Sequence, residues 1–81
     1  MATDNLHEER LVLTAYDERV KDLFKGFAEG IALGEPERAS LDRFKRALRF
    51  AQRARNLALQ ALQEEKAAAA AAGQAAEQAA N

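Results

Sequence analysis

Eighty-one residues without a cysteine hold at most one small domain, and no apolar run approaches the roughly 18 residues of a membrane span. Twelve basic against thirteen acidic residues leave a formal net charge of −1, which gives no global sign pointing to nucleic acid or to a membrane surface. The 48% hydrophobic fraction overstates the core, because twenty of those residues are alanine and only nineteen carry bulkier apolar side chains. With no disulfide or metal-ligand cluster to staple so small a core, stability is expected from association with a second copy or another protein. The N-terminus lacks the basic start and apolar stretch of a signal peptide, and a cytoplasmic location is the expectation.

A first helix is predicted from about residue 5 to 33. Asn5 followed by Glu8 has the form of a capping box. Large residues then recur at heptad spacing: Leu6, Leu13, Val20 and Phe27 in one row, Tyr16, Leu23 and Gly30 in the next, with Phe24 and Ile31 alongside. These are predicted to form the inner face, while Glu8, Glu18, Asp22, Lys25 and Glu29 look outward. Leu11 and Leu33 fall off this stripe, and Leu33 is expected to pack back near Gly34 to close the turn. Gly26, Gly30 and Gly34, four residues apart, are expected to mark a close crossing with the next helix.

Leu33-Gly34-Glu35-Pro36 is the punctuation of the chain and holds its only proline. Gly34 takes the left-handed conformation that ends a helix, and Pro36 suits a first helical turn. The turn is therefore placed at 34–35 and a second helix at about 36–63. In that helix Leu41, Phe44, Leu48, Ala51, Ala58 and Leu62 form one stripe, which Ala47, Ala54 and Ala61 widen toward Phe50 and Leu57. An arc this wide exceeds what one partner helix needs, so two contacts are expected, one with the first arm and one with a symmetry mate or target. From Glu64 the composition turns to alanine, and residues 64–81 are read as a helical or frayed extension with no large apolar anchor.

The two arms differ in charge. Residues 4–33 carry seven acids against four bases, whereas residues 36–55 set Arg38, Arg43, Lys45, Arg46, Arg49, Arg53 and Arg55 against only Glu37 and Asp42. Arg38, Lys45, Arg46, Arg49 and Arg53 form a basic ridge that suits an anion, a nucleic-acid backbone or an acidic protein surface. Arg43 and Arg55 fall within or beside the apolar arc, where a guanidinium needs a carboxylate or a route to water. Arg55 is expected either to snorkel or to set register against an acid of the first arm or of a partner.

The catalytic inventory is thin. Ser40 and His7 are the only Ser-His pair and lie near opposite ends of the hairpin, and Ser40 is read as a small residue bonded to backbone. Asp4, His7, Glu8 and Glu9 are the one cluster with metal-ligand character, lacking inward carboxylates from other segments. No cofactor motif occurs.

From Phe24 to Leu48 the pattern resembles one tetratricopeptide-type hairpin, with Phe24, Phe27, Ala28 and Ile31 on the first helix and Ser40, Phe44, Ala47 and Leu48 on the second. Gly34 stands one position off that motif's glycine, Gln52 stands where its proline is expected, and no second repeat is present. The resemblance implies a helical hairpin and no particular ligand.

The fold expected is thus all-α: an antiparallel hairpin over 1–63, dimerising into a four-helix bundle, with an alanine-rich extension over 64–81. The function expected is a non-enzymatic protein–protein interaction module, a regulator, adaptor or inhibitor, whose partner-binding residues are Phe50, Ala54, Arg55, Leu57 and Ala61. A nucleic-acid-binding dimer using the basic ridge is the alternative, and a metal-dependent bundle enzyme a more distant one.

Overall fold

A computed structural model describes the backbone of residues 2–80 and the side chains of residues 6–73. The described chain is two helices, α1 over Ala2–Ala32 and α2 over Glu37–Ala80, with no strand among the described residues. α1 begins before Asn5, which therefore lies inside the helix and not at its cap. The Asn5 side chain, with Asp4, is outside the described residues.

The turn is a Schellman closure. Gly34, at φ +86°, donates to the Ile31 carbonyl at 3.1 Å, and Glu35 donates to the Gly30 carbonyl at 3.0 Å, so two orphan carbonyls at the end of α1 are satisfied. Pro36 then accepts the first bond of α2 from Ser40 N–H at 3.0 Å, which puts Pro36 at the cap and Glu37 at the first helical position. Proline still fits, because the cap amide needs no helical acceptor. Leu33 does not fold back over the turn. It is 82% exposed, since the left-handed Gly34 carries the chain away from it.

The arms run antiparallel. Phe27 meets Phe44 with ring centroids 5.2 Å apart and planes tilted by 40°, and Arg55 lies over the Tyr16 ring further along. The seam on α2 keeps a heptad rhythm through Leu41, Phe44, Leu48, Ala51, Arg55, Ala58 and Leu62, all half-buried. On α1 it runs through Val12, Tyr16, Val20, Leu23, Phe27 and Ile31. Leu6 and Leu13 were expected in the Val20 and Phe27 row but are exposed. A straight helix drifts about 20° per heptad, and two or three heptads carry a strict seven-residue row off the seam. Phe24, expected alongside them, is 59% exposed for want of a neighbour on that side.

Two helices make a single layer, 70 × 19 × 9 Å in Cα extent, and a layer has two broad faces. Among the described residues no apolar side chain is buried. The accessible surface of 6590 Å² compares with about 4,800 Å² for a compact monomer of this mass. Part of the excess is the far end of α2, which at 44 residues outruns the 31 of α1 and leaves Glu64–Gly73 exposed. The rest is the faces of the hairpin itself.

Candidate functional site: an open apolar groove between the helices

Alanine at Ala47, Ala51, Ala54 and Ala58 leaves the α2 side of the seam low, and Ala15 does the same on α1. The result is an open groove of about 540 Å³, walled by Val12, Tyr16 and Arg19 on one side and by Phe50 and Arg55 on the other. Nearer the turn a second hollow of about 350 Å³ takes in Asp22, Leu23 and Gly26 of α1 and Ser40, Arg43 and Phe44 of α2. Ala47 lines both hollows, so they are continuous along one broad face. Phe50 stands at its edge, 66% exposed, and Leu57 follows two helical turns on at 50%.

Of the predicted partner-binding residues, Phe50, Ala54 and Arg55 line this groove. Leu57 and Ala61 are exposed further along α2 and do not line it. Arg55 does not set register against an acid of α1: its guanidinium carbon sits 4.5 Å from the Tyr16 ring centroid, and its Nε donates to Asn56 Oδ1 at 3.2 Å. The ring face supplies the negative partner in place of a carboxylate. The contribution of α1 escapes the sequence reading, which places Tyr16 on the inner face and Leu11 off the stripe. The available signal was spacing, since Leu11, Ala15 and Asp22 follow one edge of the helix at intervals of four and seven.

Arg43 does find a carboxylate. Glu35 Oε2 accepts from Arg43 Nη2 at 2.5 Å and from Ser40 Oγ at 3.2 Å. Ser40 therefore bonds to a side chain and not, as expected, to backbone, and it is 2% exposed. The hydrogen bonds from Arg43 and Ser40, with the Arg43 charge, hold the Glu35 carboxyl below its ordinary value. This clamp also accounts for Gly30, where an added Cβ would come within 2.5 Å of Glu35 Oε2. The close approach is thus by the Glu35 side chain and not by the alanine face of α2. At Gly26 a Cβ would meet nothing within 4 Å.

The basic ridge is exposed throughout. Arg38 pairs with Asp42 at 3.5 Å, while Lys45, Arg46, Arg49 and Arg53 make no ion pair among the described residues. Helical spacing separates them into two lines: Arg46 and Arg53 flank Phe50 on the groove side, and Arg38, Lys45 and Arg49 lie further round. No cluster of three or more metal-binding side chains occurs among the described residues. No described helix is long and apolar enough to cross a membrane.

Helical hairpin is the class this architecture defines. Comparison with protein-family models, with curated proteins and with solved structures returns no match.

Proposed function

We propose that this chain is a non-enzymatic protein–protein interaction module, a small regulator, adaptor or inhibitor that works through its helix faces and pairs with a second copy into a four-helix bundle. One observation carries the reading: among the described residues no apolar side chain is buried, while Phe50, Leu57 and Leu11 stand half or more exposed on a two-helix layer. Fully burying a leucine or phenylalanine contributes about 1.5–3 kcal/mol, and a hairpin leaving several of them wet lacks much of the stabilisation a partner would supply. Molar mass by light scattering tests this. A dimer is expected, and a monomer that unfolds sharply on heating overturns the self-pairing.

The unpaired Lys45, Arg46, Arg49 and Arg53 favour a second reading, a helical dimer that lies along nucleic-acid phosphates. Duplex binding followed by fluorescence anisotropy would then weaken steeply with salt and vanish on reversing Arg46, Arg49 and Arg53. Affinity indifferent to that triple change sinks this reading.

A further inference from the structure

We infer that the groove is filled by α1 of a second copy, brought over α2 by a two-fold axis parallel to the helices; this rests on the self-pairing reading above. Charge around the groove carries the inference. Along the α1 side, Ala15, Arg19, Asp22 and Gly26 line the hollows, and the three- and four-residue steps of a helix continue that edge through Leu11, Glu18, which also pairs with Lys21 at 3.4 Å, and Glu29. Along the α2 side, Ala47, Phe50 and Ala54 line them, and the next line outward is Arg46, Arg53 and Leu57. One broad face thus has a rim on α1 where Glu18, Asp22 and Glu29 outnumber Arg19 and Lys25, an apolar trough, and a basic rim on α2.

Two such faces can meet about a two-fold axis in two ways. An axis across the helices stacks α1 on α1 and α2 on α2, acid over acid and base over base. An axis alongside the helices stacks α1 of each copy over α2 of the other, antiparallel, with the acidic rim against the basic one. Like-charge juxtaposition is penalised and opposite charge is favoured, which selects the second arrangement.

That axis keeps every residue at its own level along the bundle. Tyr16 lies level with Arg55 and Phe27 with Phe44, so Glu18 of one copy arrives level with Arg53 of the other, and Asp22 between Arg46 and Arg53. Leu11, 56% exposed and off the intramolecular seam, arrives beside Leu57 and Ala61. Lys25 comes level with Arg46, a like-charged pair that Asp22 and Glu29 flank.

With no native cysteine, single substitutions give a clean test. Glu18→Cys chains are mixed with Arg53→Cys chains and treated with a short bismaleimide, and each variant is also treated alone, with mass measured in parallel by light scattering. A dimeric mass with cross-linking in the mixture, and little with Glu18→Cys alone, is the expected result. A dimeric mass with Glu18→Cys cross-linking to itself, or with no cross-link in the mixture, overturns this geometry and leaves self-pairing standing through the opposite face of Leu6, Leu13 and Phe24. A monomeric mass for the unmodified chain overturns both.

Discussion

Arg43 of α2 and Glu35 of the turn form an ion pair that also captures the Ser40 hydroxyl, so one carboxylate ties the turn to the start of the second helix, while the Glu35 N–H holds the Gly30 carbonyl at the end of the first. A hairpin joined by four non-helical residues, Leu33, Gly34, Glu35 and Pro36, hinges on that point.

Because Glu35 has a lower pKa folded than unfolded, its contribution to stability is full above the ordinary carboxylate value of 4.5 and is lost as pH falls through the folded value. Glu35→Gln removes this dependence. Melting midpoints followed by circular dichroism from pH 7 to pH 2 should fall less steeply for the variant than for the parent below about pH 4.5. Equal slopes would refute the clamp.

Gly34→Ala and Gly73→Ala should act in opposite directions. At Gly34 the backbone is left-handed, and a side chain there costs about 1–2 kcal/mol although nothing crowds it. At Gly73, inside α2 with open space around it, alanine gains about 0.5–1 kcal/mol of helix propensity. Urea titration should show a lowered midpoint for the first. Far-ultraviolet circular dichroism should show raised helicity for the second.

Phe27→Ala and Phe44→Ala each remove half of an aromatic pair across the seam. Both rings are only half-buried, so about 2 kcal/mol is expected, below the 3–5 kcal/mol of a closed core. The double variant should cost less than the sum of the singles, by the 0.5–1.5 kcal/mol that an aromatic pair contributes beyond its area. Additive singles would mean that the ring contact carries no energy of its own.

Arg55→Ala removes the guanidinium from the Tyr16 face and should lower stability by about 0.5–1 kcal/mol, an effect expected to disappear in a Tyr16→Leu background. Arg55→Leu, which extends the apolar heptad, should instead raise the melting midpoint.

The two-helix order and the turn at Gly34 were legible because each rests on local chemistry: hydrophobic spacing for the helices, and a residue free to adopt positive φ where the first must end. The exposure of Phe50 and Leu57 was legible for the same reason, since an arc can be counted on a wheel. Leu6, Leu13 and Phe24 were not. Whether a large side chain on one helix is covered depends on which edge its neighbour occupies, and the drift of a straight helix decides that over several turns.

The candidate site divides along the same line. The alanine-rich edge of α2 and the opposite charge of the two arms are properties of the sequence alone, written in residue types at helical intervals. Only the tertiary structure decided that Arg55 answers to Tyr16 and Arg43 to Glu35, and that Ser40 is the residue sealed at the turn. Periodicity assigns a side chain to a face, but a partner across the hairpin is chosen by register, which the Gly34–Pro36 turn sets for both helices at once.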